Sequence, residues 1–288
     1  MSHPRPASAI AILLLLLATA AGADVTYKQK ISGGGMGGRG ASTTTSTTVI
    51  SGDRSRTDDE TSFGGAAHHV TRITRLDQGV IWTIVDDRKE YSETSIDELK
   101  KLAAGVDSTL DSTAIDVKQT GKKDTVNGYA ADEAIASWTG PLPPSMPMDG
   151  TMHLTMDVWS SKAVPGGDEM RAFARAFALK AGMDPSSQRM GRVGRMLGHA
   201  VERVQGALAQ IDGVPVSTTM TIEIKSADAD GPGGPGPMSF TTELLSASTD
   251  KATVSFDLPK GYKKVESLGM GGMGGGRPDG QRPGGDGR

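Results

Sequence analysis

Thr151-Met152-His153-Leu154-Thr155-Met156-Asp157-Val158 alternates polar and apolar residues at strict period two, and that alternation decides the fold. A strand sends successive side chains to opposite faces. Met152, Leu154, Met156 and Val158 therefore share one face, and Thr151, His153, Thr155 and Asp157 share the other. One packed face and one wet face is the signature of a half-buried antiparallel strand. The same pattern returns at 216–224, where Val216, Thr218, Met220, Ile222 and Ile224 alternate with Ser217, Thr219, Thr221 and Glu223, and at 25–31. Weaker runs predict strands at 41–51, 70–76, 80–85, 89–94, 115–119, 128–138, 239–246 and 253–258. Asp86-Asp87-Arg88 and Asn127-Gly128 are turn signals between neighbouring runs.

Helices interrupt the strands twice. Ser95-Ile96-Asp97-Glu98 is a capping box, with Ser95 as N-cap and Glu98 reaching back. Further on, Met170, Phe173, Phe177 and Ala181 share a helical face that Gly182 ends, and Asp184-Pro185 opens a second helix. Its apolar stripe runs through Met190, Val193, Leu197, Ala200, Val204, Leu208 and Ile211. An open antiparallel sheet needs a cover for its apolar face, and these helices are the candidates. The expected class is α+β: a large curved antiparallel sheet, an open half-barrel, with helices covering the concave face.

The flanks differ in composition. Residues 1–23 read as a signal peptide: Arg5, the apolar run Ile10–Leu17, then Ala21-Gly22-Ala23 before a cut at Asp24. That apolar run falls short of the roughly 20 residues a membrane span takes. The expected location is periplasmic or secreted, with no transmembrane segment in the mature chain. One domain is expected over 24–264, with a helical hairpin inserted at 166–211. Gly33–Gly40 reads as a flexible insert, 231–237 as a loop, and 265–288 as a Gly/Pro/Arg-rich disordered tail.

Composition excludes several functions. Cysteine is absent, which removes disulfides, thiolate metal sites and cysteine nucleophiles. The net charge of −3 leaves no basic footprint for nucleic acid. No G-x-S-x-G elbow and no H-E-x-x-H spacing occurs, and no histidine has a motif context that makes it a general base. The expectation is a non-enzyme without a cofactor.

Arg75-x-Asp77-x-Gly79-x-x-Trp82-x-Ile84-x-Asp86 and Lys89-x-Tyr91 are followed by Asn127-Gly128-Tyr129-x-Ala131, Trp159-x-Ser161 and Phe256-x-Leu258-Pro259-x-Gly261-Tyr262. In this order they resemble a family of exported bacterial proteins of unknown function, similar in fold to the periplasmic lipoprotein carriers (the LolA/LolB-like half-barrel). The resemblance spans about Asp24 to Lys264. It implies a half-barrel with a helical lid over an apolar cavity, and it carries over no catalytic or binding residues.

The leading expectation is therefore a protein that binds an apolar ligand, a lipid or a lipidated partner in the cell envelope. Periodicity nominates Met152, Leu154, Met156, Met220, Ile222, Phe173 and Phe177 as cavity-facing. The alternatives are a structural or interaction protein without ligand, and copper binding through Met and His. Met146 and Met148, Met152 and Met156, and Met270 and Met273 form the thioether pairs, although core packing accounts for the second pair. His68-His69 reads as a surface patch, since adjacent strand residues point apart. Arg189, Arg192 and Arg195 lie three apart on the second helix, either as a basic surface for an anionic headgroup or acidic partner, or as an ordinary solvated face. Trp82, Trp138 and Trp159 read as core packing. Asp86-Asp87 and Asp58-Asp59-Glu60 read as solvated turn or strand-end groups.

Overall fold

The computed structural model describes residues 24–33, 42–63, 66–104, 114–142, 149–183, 199–208, 211–226, 236–266 and 268. The expected signal peptide, the Gly33–Gly40 insert beyond Gly33, the 231–235 part of the loop and the tail beyond 268 lie outside these residues. So do Arg189, Arg192, Arg195 and both flanking methionine pairs.

Among the described residues, twelve strands form a single sheet. Strands β1 (Val25–Gly33), β2 (Ser42–Ser51), β3 (Arg54–Phe63), β4 (Ala66–Arg75), β5 (Val80–Val85) and β6 (Glu90–Ser95) make one antiparallel meander. Strands β7 (Ile115–Val126), β8 (Tyr129–Pro141), β9 (Gly150–Ser161), β10 (Val214–Ser226) and β11 (Met238–Ser248) make the other. Pairing of β1 with β11 joins the two. Strand β12 (Lys263–Lys264) adds to β6 in parallel. The terminal strands β7 and β12 do not pair with each other, so the sheet is open.

Three helices are described: α1 (Ile96–Ala104), α2 (Gly167–Ala181) and α3 (His199–Leu208). The capping box closes through Glu98 as its spacing predicts, while Ser95 Oγ takes the N–H one residue earlier than expected. The Ser95 N–H donates to Glu98 Oε2 at 3.2 Å, and the Asp97 N–H donates to Ser95 Oγ at 3.2 Å. Gly182 ends α2 in the left-handed region (φ 72°), its N–H bonded to Ala178 O at 2.8 Å. At the other end of α2, Gly166 (φ 69°) lies against Val25, where a Cβ would sit 2.4 Å from Val25 Cγ2. Only glycine fits that position. Residues 184–198 of the expected hairpin lie outside the described residues.

The helices pack on one face of the sheet, here the inner face. Val201 and Val204 of α3 join Trp138, Met152, Leu154, Met156, Met220 and Ile222 in a buried cluster. Phe173, Phe177 and Ala181 of α2 and Ile96 of α1 join Ile50, Leu76 and Ile81 in a second. A third, smaller cluster at the β8–β11 ends holds Val164, Val214, Val216 and Leu244.

Four strand assignments need correction. Residues 253–258 are not a strand: Ser255 and Asp257 lie over the opposite, outer face, where their polar contacts go to side chains of β3 and β4 rather than to a ladder. Residues 54–63 are a full strand, although RSRTDDETSF has no apolar alternation; it is paired along its length by β2 and β4. Strands β4 and β7 begin earlier and end later, respectively, than their apolar residues alone suggest, since ladder pairing continues through polar sequence. Asp58-Asp59-Glu60 thus sits inside β3, and only Glu60 of the three is exposed.

Candidate functional site

Cross-strand partners share a face, so the register maps the inner face residue by residue. Across β8–β11 it is apolar. Trp138 faces Leu154, Leu154 faces Ile222, and Met156 faces Met220. Met152 and Leu154 are fully buried, and Met156, Met220 and Ile222 nearly so. Five of the seven nominated residues are therefore brought together under α3. Phe173 and Phe177 are not among them: they fill the separate cluster under α2, with Ile50 and Ile81. Period two and period 3.6 found buried faces correctly but could not tell which helix meets which strands.

Across β2–β4 the same face is polar. Ser46 Oγ donates to Asp59 Oδ1 at 2.5 Å, and Arg72 Nη1 lies 3.6 Å from Asp59 Oδ2. Thr48 and Thr57 share a hydrogen bond at 3.0 Å, and Thr44 and Thr61 one at 2.9 Å. Ser46 is completely buried and Thr48 nearly so. Buried polar groups persist only when bonded, and this hydroxyl ladder meets that condition. The inner face is thus hydroxyl-lined over much of β2–β4, next to the cluster of Ile50, Leu76 and Ile81, and methionine-lined across β8–β11. Sequence reasoning missed the polar half, because a strand that is polar on both faces gives no hydrophobic period.

Trp138 stands where the apolar half meets the sheet edge. Its ring is 1% exposed, and its Nε1 has no hydrogen-bond partner. Gly140 makes room for it: a Cβ there would lie 2.1 Å from Trp138 Cζ2. Trp138 also borders an open cleft of about 440 Å3 shared with Ile115, Asp116, Ser137 and Thr139. By contrast, the Trp82 indole donates to Glu93 Oε2 at 3.0 Å, and Trp159 is half-buried against the third cluster.

The histidines hold no common position. His68 and His69 are exposed on β4, opposite Thr61 and Glu60 respectively, hence on opposite faces. His153 bonds Thr139 Oγ1 at 2.7 Å and Thr155 Oγ1 at 3.1 Å. The described residues contain no group of three or more His, Asp or Glu able to hold a metal ion. They also contain no helix long and apolar enough to cross a membrane.

On the outer face, Asp157 (β9) has an Oδ1 that is buried without a partner. Burial, and then the nearby charge of Glu133, pushes its pKa above the ordinary aspartate range. A carboxyl with a raised folded pKa costs stability when ionised, and that cost disappears as pH falls through the folded pKa towards the unfolded value. Asp157→Asn should therefore be more stable than wild type at pH 7 and equal to it near pH 3. Urea unfolding at both pH values checks this; an equal difference at both would refute the electrostatic origin.

The motif residues that carry the family resemblance turn out to brace the chain. Residues 255–262 lie across the outer face of β3–β6 as a strap that leads into β12 at the sheet edge. Arg75 bonds Asp77 and Asp257, Arg56 donates to Ser255 O, and the Arg54 guanidinium sits 4.9 Å over the Phe256 ring. The Tyr262 hydroxyl donates to Asp86 Oδ1 at 2.7 Å, and Lys264 Nζ to Glu93 Oε1 at 2.8 Å.

These features define a class: an open, almost wholly antiparallel twelve-stranded sheet with helices on one face. The family model for the domain of unknown function DUF4412 matches residues 39–182, and the chain belongs to that family. Comparison with curated proteins gives no match. Two solved structures are loosely similar. One is described as a candidate outer membrane lipoprotein-sorting protein domain from Vibrio parahaemolyticus (10% identity, TM-score 0.24, 79% of this chain and 86% of that one). The other is a beta-barrel-like protein of domain of unknown function DUF1849 from Brucella abortus (7% identity, TM-score 0.21, 79% and 98%).

Proposed function

We propose that this chain is a non-enzymatic protein of the bacterial cell envelope, exported by its first 23 residues, that holds an apolar ligand, lipid or lipidated partner against the inner face of a half-barrel under its helices. The supporting observation is the cluster beneath α3. Met152, Met156 and Met220 supply flexible, unbranched side chains that repack around varied guests. The roof is a ten-residue helix seated through Val201, Val204 and Leu208. A short amphipathic helix contributes little stability of its own and is held by packing, so ligand contacts would have to replace the contacts that hold α3. The hydroxyl-lined half beside it offers a polar setting for the head of an amphiphile.

Native mass spectrometry of the chain, expressed with its own N-terminus and purified from the envelope fraction, tests this. The expected result is a polypeptide mass beginning at Asp24 plus a discrete lipid-sized addition that is lost on denaturation. A bare mass would overturn the ligand reading and favour an interaction protein, for which the twelve-residue edge strand β7 offers unpaired backbone.

A further inference from the structure

We infer that the Trp138 indole N–H is the anchor for the first carbonyl of a neutral acyl ligand, an ester or amide rather than a free fatty acid; this rests on the ligand reading above and names the chemistry of that site. A buried donor without a partner is expensive, because the group has given up water and gained nothing. Trp138 could have avoided that cost as Trp82 does, through a carboxylate on the neighbouring strand. Instead its cross-strand partner on β9 is Leu154, and its surroundings are Met152, Leu154 and the valines of α3. The ring is held in place, since Gly140 packs directly against it.

The ligand chemistry follows from the donor and its neighbours. An indole N–H donates only, so the matching atom is an acceptor. A carboxylate there would be a charge within an apolar cluster, and Asp116 at the adjoining cleft would repel it. A carbonyl of an ester or amide meets both constraints. Trp138 borders the open cleft on one side and the methionine face on the other. A ligand anchored there would place its head in the cleft at the β7–β8 edge beside Ile115, the cross-strand partner of Trp138 on the inner face, and its chain along Met152, Met156 and Met220.

The test uses the full chain and two probes of equal chain length, 1-monomyristoylglycerol and tetradecane. Wild type should bind the ester more tightly than the alkane, and Trp138→Phe should lose about tenfold affinity for the ester with alkane binding unchanged, the effect of one hydrogen bond. Because Trp138→Phe could also disturb packing, a second readout uses wild type alone. With 15N-labelled tryptophan, the ester should shift the Trp138 indole N–H resonance downfield, and the alkane should not. An unmoved resonance with ester bound, or equal ester affinity in Trp138→Phe, overturns the anchor while leaving the ligand reading intact. A wild-type chain that carries envelope lipid yet ignores the ester overturns the anchor alone. A wild-type chain that carries no lipid and binds neither probe overturns both.

Discussion

Leu154→Ala should lower the unfolding free energy by about 3 kcal/mol, the middle of the range for emptying a buried leucine site. Leu154 is the centre of β9, completely buried, with Trp138 beside it on β8 and Ile222 beside it on β10. Both neighbours belong to continuous strands and cannot slide in to fill the gap without breaking ladder bonds. The roof offers no relief either, since Val201 and Val204 are β-branched and stiff. The lost transfer energy therefore adds to a cavity penalty. Glu223→Ala, on the exposed side of β10, should change stability by no more than about 0.5 kcal/mol. Urea unfolding of both variants checks the pair. The Leu154→Ala midpoint should fall with an unchanged slope, and a slope change would mean that the variant alters how much structure unfolds together. A Leu154→Ala cost below about 1 kcal/mol would mean that this face is loosely packed or already partly open.

The difference between β9 and β3 explains how far the sequence could be read. Strand β9 buries one face and wets the other, so its fold is written in its hydropathy. Strand β3 carries Ser55, Thr57, Asp59 and Thr61 inward and Arg54, Arg56 and Asp58 outward. Its faces differ in partners, not in polarity, and those partners lie on β2, β4 and the strap. Asp58 shows the consequence. Burial pushes its pKa up, but hydrogen bonds from Arg56 and Thr71 outweigh this and hold it below the usual range. No local pattern announces that, because Thr71 is thirteen residues away. The candidate site divides the same way. The burial of Met152, Leu154, Met156, Met220 and Ile222 was legible; their assembly under α3 rather than α2 depends on chain tracing between strands. The unpartnered N–H of Trp138 was invisible, because tryptophan in a strand reads as core whether or not its nitrogen is bonded.

Arg75→Ala should destabilise the fold by about 2 kcal/mol and release the strap, since hydrogen bonds to charged groups are the strong ones. Arg75 binds Asp77 through Nη2 at 2.7 Å and Nε at 2.9 Å, and reaches Asp257 Oδ1 at 3.0 Å and Phe256 O at 3.4 Å through Nη1. The partners are unequal. The Arg75 side chain is 11% exposed and that of Asp257 83%. Asp257→Ala removes one screened surface contact and should cost under about 1 kcal/mol. Arg75→Ala removes the hub and leaves Asp77 and the Phe256 carbonyl to find water. The strap lies on the face of Ile73 and Ile84, both buried, because Arg56, which holds Ser255 O, is the cross-strand partner of Ile73. Loosening it admits water to those isoleucines, so the effect exceeds that of the ion pairs alone. The pH dependence has a definite sign. The Arg75 hydrogen bond is the main cause holding Asp77 below the usual aspartate range, so its stabilisation is full above the unfolded pKa and is lost as pH falls through the folded one. The gap between wild type and Arg75→Ala should therefore narrow in acid. Trypsin supplies the local readout: cleavage after Lys260, exposed within the strap, should speed up in Arg75→Ala well before global unfolding. Equal cleavage rates in the two proteins would show that β12 and Tyr262 hold the strap without Arg75, and would make the motif arginine a local turn residue of the β4–β5 connection.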